Sequence, residues 1–380
     1  MDLKEIRDQI DVIDDQLVQL FTRRMELAAQ VAEYKRANGL PILNRGRERE
    51  VLAKVSEGLA PPMDQFTRRL FTELMSMSRA YQSVCMAQPQ EEPAAAIRAA
   101  LESSPRKLPA AAMVACQGVE GAYSQIACDK LFAGANILFM DNFEGVARAV
   151  ASGLCRYGVL PIENNIYGSV NAVYDLMQKH SFYIVKSIKL RINHSLAVKP
   201  GTKPEDIREI FSHEQAIGQC SEFLRQFPNA RIIPVANTAV AARSVADSPN
   251  ADAAAICSAD ASELYGLEKL FRDIQNSDNN YTRFICIARD LQIFEGCTRV
   301  SLMFRAAHKP GALYEVLSHF ASMGLNVSKL ESRPISGHDF EFQFYLDVEA
   351  DVRDEQVLRL LCDLPRCTEQ LTFLGAYTEV

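Results

Sequence analysis

The chain has 380 residues, 48% of them apolar and 23% charged, a soluble balance too long for one core and sized for two or three domains. Its 41 Lys and Arg against 48 Asp and Glu leave a net charge of -7, which argues against a nucleic-acid binder. No apolar run approaches a membrane span, and the acidic, amphipathic start MDLKEIRDQI is unlike a signal peptide. The ten cysteines include no C-x-x-C and the six histidines no H-E-x-x-H, so reduced thiols in a cytoplasmic protein are expected, with no zinc site and no disulfide framework.

From Asp2 to about Gln88 the pattern is helical, broken at Asn38-Gly39-Leu40-Pro41 and at Pro61-Pro62. The first helix carries Ile6, Ile10, Ile13, Leu17, Leu20, Leu27 and Val31 on one stripe, and Arg24 fills the gap in that seam. A charge there is costly unless something pairs with it, and a buried glutamate would suffice for a lone arginine. Lys35 returns to nearly the same face about three turns later. Arg47 and Glu48 follow on a second helix, and Ser78 and Gln82 on a third, one turn apart and flanked by Phe71, Leu74, Met75 and Tyr81. Together they predict a pocket for a small dianion. Arg7 lies about 25 Å from Arg24 along the helix and cannot reach the same ligand. The unusual length of this helix predicts pairing with a second copy, whose pocket Arg7 would serve.

The run IRDQIDVIDDQLVQLFTRRMELAAQVAEYK, then RGRERE and SRAYQ, resembles the AroQ-type chorismate mutase family over residues 1–88. The resemblance implies an all-α intertwined dimer that converts chorismate to prephenate. Arg7 from the second copy and Arg24 would bind the carboxylates, and Lys35 and Gln82 would meet the ether oxygen. Glu48 would hold the ring hydroxyl, with Arg47 and Ser78 in support. Where the best-known members have aspartate this chain has Asn44, which can still accept a hydrogen bond. A Claisen rearrangement needs no nucleophile, metal or proton transfer, only a held conformer and preplaced donors.

Residues 89–110, with four prolines and many alanines, read as a linker with at most a helical turn near Ile97. From 111 to 290, buried runs (MVAC, YGVLPI, ARIIPV, AAAIC, RFICIA) alternate with amphipathic segments, an α/β pattern with helix starts at Asn142, Thr238 and Ser258. Four clusters hold the polar groups: QGVEGAYS, PIENNIYGSV, SHEQAIGQC and YTRF. Each has an ordinary reading as a turn, cap or strand edge, including His213 as a cap. In an α/β fold, however, strand ends and helix starts gather at one crevice.

PIENN…GSV, SH…QC and YTRF in this order resemble the prephenate dehydratase family. That implies two periplasmic-binding-protein-like lobes with prephenate in the cleft, and no cofactor. Thr282 would be the essential residue. Asn164, Ser212 and Gln219 would position the ring hydroxyl and carboxylates, with Glu163 near the same cleft. Arg283 is either a carboxylate clamp or a structural ion pair. Prephenate is preferred to arogenate because no acidic group stands out for an ammonium.

Residues 297–380 read strand, helix, strand, strand, helix, strand, the α+β ferredoxin-like order. GALYEVL and NVSKLESRP resemble the ACT regulatory domain family. The implied effector is L-phenylalanine, with N–H groups at Gly311 and Ala312 for its carboxylate and Asn326 for its ammonium. Leu313, Glu331, Ser332, Arg333 and Pro334 share those motifs. The chain is therefore expected to be a bifunctional, feedback-inhibited enzyme, a homodimer or larger homo-oligomer. The alternative is a dehydratase whose helices serve only dimerisation.

Overall fold

The computed structural model describes residues 2–86, 92–335 and 341–380. The chain divides into two compact units, residues 1–91 and 92–380. The first residues of the expected linker, 89–91, lie outside the described residues.

The first unit holds α1 (Leu3–Ala37), α2 (Arg45–Ser56) and α3 (Met63–Met86). Asp2 and Glu5 form a reciprocal capping box that starts α1. Asn44 caps α2 by accepting from the Arg47 N–H at 3.0 Å. Both α1 and α2 pack on α3. Along α1 only Ala28 and Ala32 are buried, while Ile10, Ile13, Leu17 and Leu20 stay 49–65% exposed.

In the second unit α4 (Glu92–Ser103) precedes the α/β region: β1 (Ala111–Gln117), α5 (Tyr123–Leu131), β2 (Gly134–Met140), α6 (Phe143–Ala151), β3 (Tyr157–Asn164), β4 (Gly168–Ser169), α7 (Asn171–Lys179) and β5 (Tyr183–Arg191). Next come β6 (Ser195–Val198), β7 (Glu209–Ser212), α8 (Glu214–Gln219), α9 (Ser221–Leu224), β8 (Arg231–Pro234), α10 (Thr238–Asp247), β9 (Ala253–Cys257), α11 (Ala259–Leu264), β10 (Glu268–Phe271) and β11 (Tyr281–Ala288). One sheet runs β2-β1-β3-β11-β5, with β4 on β3, and a second runs β10-β6-β9-β7-β8. The chain crosses between these two lobes at 192–194 and returns at 272–280.

The C-terminal domain is β12 (Arg299–Arg305), α12 (Ala312–Ser322), β13 (Asn326–Pro334), β14 (Phe342–Glu349), α13 (Glu355–Asp363) and β15 (Gln370–Tyr377), in sheet order β13-β14-β12-β15. Its last residues run beside the edge of the first lobe. Ser187 N–H donates to Thr378 O at 3.0 Å, and Lys189 N–H to Val380 O at 2.9 Å. Gly375 has φ +145°, and a Cβ there would fall 2.1 Å from Ile184 O, so only glycine permits this approach.

Two expectations differ. The segment read as a linker contains the twelve-residue α4, whose Ala94, Ile97 and Ala100 are buried in the C-terminal core beside α13. Arg98 also pairs with Glu355 at 2.7 Å. The helix at 238 is capped by Asn237, not Thr238: Asn237 Oδ1 accepts from Val240 N–H at 2.8 Å, whereas Thr238 is the first helical residue.

Candidate active sites

In the first unit, a cavity of about 390 Å³ collects Arg24, Lys35, Asn44, Arg47, Glu48, Ser78 and Gln82. Arg24 Nη1 donates to Leu74 O at 3.1 Å and to the Ser78 hydroxyl. Lys35 Nζ donates to Gln82 Oε1 at 3.2 Å and to Ile42 O. These acceptors are neutral, so they hold the two cations in place without cancelling their charge. Arg47 borders the cavity, but its guanidinium is largely exposed and pairs with Glu50 at 3.1 Å. Arg7 is an exposed residue of α1 and does not line this cavity.

Glu48 was expected to await a hydroxyl; in the structure its Oε1 is bonded to Arg79 Nη1. Arg79 lines the cavity as well. It was not among the expected pocket residues, although its place between Ser78 and Gln82 on α3 was the available signal.

In the second unit, a cleft of about 610 Å³ between the lobes is lined by Tyr123, Asn164, Tyr167, His194, His213, Gln219 and Thr282, among others. β11 and β3 pair with Thr282 opposite Asn164 and Arg283 opposite Glu163. The Asn164 amide is fixed at both ends. Its Oδ1 accepts from the N–H groups of Ile166 and Tyr167 at 3.0 and 2.9 Å. Its Nδ2 donates to Thr282 Oγ1 at 3.0 Å, Asn280 Oδ1 at 2.9 Å and Tyr281 O at 3.1 Å. Thr282 Oγ1 therefore accepts from Asn164, which leaves its own hydrogen to donate elsewhere.

Alternation along β3 and β11 turns Glu163 and Arg283 to the opposite face. Neither lines the cleft, and each correction has the same cause. Arg283, 5% exposed, pairs with Asp347 at 2.5 Å and donates to the Tyr377 hydroxyl at 2.7 Å, while Glu379 stands 2.8 Å from its Nε. Burial alone would lower its pKa, but Tyr377, Asp347 and Glu379 outweigh that and raise it, so it stays charged. Of the two readings of Arg283, the geometry gives the ion pair. Glu163 pairs with Lys329 at 2.8 Å, and Lys329 also donates to Ser169 Oγ at 2.9 Å.

Ser212 is also absent from the cleft lining: it is fully buried at the end of β7 and donates to Ile256 O at 2.8 Å. Gln219 does line the cleft, with its Oε1 2.7 Å from His194 Nε2. His213 is the N-cap of α8, as its ordinary reading had it, and borders the cleft too. Tyr167, on the first lobe, reaches across to donate its hydroxyl to Gln215 O at 3.2 Å. His194, Tyr167 and Asn280 were missed because only their partners, distant in sequence, mark them.

In the C-terminal domain, Gly311 takes φ +85° at the start of α12, beside a cavity of about 360 Å³ lined by Lys309, Ala312, Leu313, Phe342 and Phe344. The other residues expected to meet an effector lie elsewhere. Asn326 donates to Glu349 at 3.0 Å, and Ser332 and Pro334 are exposed. Glu331 and Arg333, one strand period apart, face the α/β region instead. Glu331 accepts from Ser169, and Arg333 makes a two-pronged contact with Asp175 at 3.0 Å on each prong.

The sequence matches the family models for chorismate mutase type II over residues 6–83, prephenate dehydratase over 114–292 and the ACT domain over 300–366. It is 33% identical to a bifunctional chorismate mutase/prephenate dehydratase of Enterobacter agglomerans, covering 99% of this chain and 95% of that one. It is 31% identical to the enzyme of the same description from Escherichia coli (strain K12), over 99% and 96%. Among solved structures it is similar to a prephenate dehydratase from Arthrobacter aurescens in complex with L-Phe, at TM-score 0.64 and 30% identity, covering 70% of this chain and 89% of that one.

Proposed function

The chain belongs to the bifunctional chorismate mutase/prephenate dehydratase family, and we propose that its two reactions are divided between the two cavities described above. It is a bifunctional enzyme that rearranges chorismate to prephenate and dehydrates and decarboxylates prephenate to phenylpyruvate. The helical cavity takes the first step. Arg24 grips a carboxylate, Lys35 and Gln82 donate to the ether oxygen as charge grows there, and Glu48 accepts from the ring hydroxyl while Arg79 holds it. Arg47, Ser78 and Asn44 support these groups. Arg7 enters the cavity of a second copy, and the exposed apolar stripe of α1 supports a homodimer or larger assembly in which that stripe is covered.

The cleft takes the second step. The bond to the ring carboxylate breaks, its electron pair enters the ring, and the C4–oxygen bond breaks as carbon dioxide leaves. The departing oxygen takes up one proton and leaves as water. Thr282 donates a hydrogen bond to that oxygen, and Gln219 donates to a carboxylate. The observation that carries this reading is the Asn164–Thr282 contact at 3.0 Å, which orients the threonine hydroxyl as a donor. The proton delivered overall comes from solvent or another group, because a threonine is too weak an acid to supply it.

The C-terminal domain is regulatory. L-phenylalanine is its effector, bound at the Gly311–Leu313 turn near the start of α12 and lowering dehydratase turnover. Functional boundaries follow as 1–88, 111–290 and 297–380, with α4 joined to the last of these. The enzyme works in the cytoplasm on prephenate in preference to arogenate. A coupled assay of the full chain, with chorismate supplied and phenylpyruvate followed with and without L-phenylalanine, tests all three roles. No prephenate from chorismate would leave a dehydratase with a dimerising helical unit.

A further inference from the structure

The two crossovers between the lobes grip one cleft residue, Gln219, from both ends. Asn276, on the returning crossover, donates its N–H to Gln219 O at 2.7 Å. His194, the last residue of the outgoing crossover, puts its Nε2 2.7 Å from Gln219 Oε1. The crossovers are also tied to each other at His194. Its N–H donates to Gln275 Oε1 at 2.9 Å, and its carbonyl accepts from Ile274 N–H at 3.0 Å.

The ring of His194 has a defined proton arrangement. An amide oxygen can only accept, so the contact with Gln219 Oε1 requires the hydrogen on Nε2. Nδ1 is buried without a hydrogen-bond partner among the described residues, so nothing there calls for a second proton. The side chain is 2% exposed, and Tyr123 of the first lobe stands edge-on at 6.2 Å between ring centres. Burial lowers the imidazole pKa and the Gln219 contact offsets this only in part, which keeps the ring neutral.

With Oε1 committed to His194, the NH2 group of Gln219 is the part of the amide left for the cleft, and it has two donors. Without His194 the amide could turn over and present an acceptor, which repels a carboxylate. We propose that His194 is a positioning residue of the dehydratase cleft, fixing the Gln219 amide from the inter-lobe crossover so that its NH2 meets a carboxylate of the substrate. This rests on the reading of the cleft as the prephenate site. It adds a residue that touches neither the reacting bond nor Thr282, and it ties substrate affinity to the register of the two crossovers.

The full-length enzyme carrying His194→Leu, His194→Gln, Gln219→Ala or His194→Leu with Gln219→Ala tests this. Readouts are prephenate KM and kcat, mutase turnover and thermal unfolding. His194→Leu should raise KM about tenfold with a smaller change in kcat and unchanged mutase turnover. His194→Gln can place an amide N–H near the former Nε2 and should recover most of the loss. The double variant should lose no more than Gln219→Ala alone. A folded His194→Leu enzyme with KM within twofold of wild type overturns the inference, as do losses that multiply in the double variant. If His194→Leu does not fold, His194→Gln is compared with His194→Asn, which restores a group only near Nδ1; equal KM values overturn the inference. Wild-type protein that turns over no prephenate would refute the dehydratase reading itself, a separate result.

Discussion

Asn164 and Thr282 sit opposite one another on paired strands, and the asparagine amide donates to the threonine hydroxyl across 3.0 Å. The amide cannot turn, because its oxygen is held by two backbone N–H groups. Asn164→Asp replaces the donor by a second acceptor, which would draw the Thr282 hydrogen toward itself and away from the leaving oxygen. Dehydratase kcat should fall by about 100-fold with mutase turnover unchanged, as steady-state assays of both reactions on one preparation can check. A loss below threefold would mean that the hydroxyl is not oriented in this way.

Arg24 is held by a carbonyl and a hydroxyl that leave its charge available. Arg24→Ala should cost the mutase about 2–5 kcal/mol in kcat/KM and leave prephenate turnover intact. A mutase rate within threefold of wild type would remove Arg24 from the site. Arg79→Ala is expected to be milder, because its ion pair with Glu48 is a quarter exposed on each side and screened by solvent. It should act on chorismate KM more than on kcat.

Arg283 and Glu163 are the strand neighbours of Thr282 and Asn164, yet both are bound by the C-terminal domain. An effector that shifts that domain would therefore pull on the backbone of Thr282 and Asn164. Lys329→Met removes the half-buried bridge to Glu163, and L-phenylalanine should then inhibit more weakly, with an unchanged calorimetric binding signal. Asp347→Asn removes one of the two carboxylates beside buried Arg283 and leaves Glu379, at a cost on the order of 1–3 kcal/mol visible as a lowered unfolding midpoint. Normal inhibition in Lys329→Met would place the coupling elsewhere.

Much of this was legible beforehand. The stripe that exposes Arg24 as a misfit, the α/β alternation and the βαββαβ order all follow from local periodicity. Strand alternation also separates Thr282 from its neighbour Arg283, although on sequence Arg283 still stood as a possible carboxylate clamp. What periodicity does not carry is pairing at long range. Arg79 with Glu48, Lys329 with Glu163 and His194 with Gln219 are set by tertiary packing alone. The helix α4 was hidden for a different reason: Ala94 and Ala100 are buried alanines, whose small side chains leave Ile97 and the partly buried Leu101 to mark an apolar face.

Acid should weaken the second unit in two stages. The folded-state pKa of His194 is lowered, chiefly by burial, so neutral His194 contributes stability above its ordinary value of 6.5. That contribution is lost as pH falls from there through the folded value. At Glu379 burial would raise the pKa, but Lys189, Arg283 and Arg299 outweigh it and lower it from 4.5. Its stabilising share is present above 4.5 and lost as pH falls through the lower folded value. Unfolding midpoints recorded from pH 8 to pH 3 should decline in both windows. His194→Gln should reduce the first decline, with His213, likewise lowered chiefly by burial, contributing the rest, and a variant with an unchanged slope there would contradict the assignment.

The most direct measurement is product analysis on full-length Thr282→Ala enzyme supplied with chorismate. Prephenate should accumulate at the wild-type rate with no enzymatic phenylpyruvate, because the helical cavity is intact and the cleft has lost its donor. Phenylpyruvate formed at an undiminished rate, or simultaneous loss of prephenate formation in a folded protein, would contradict two chemically separate sites on one chain.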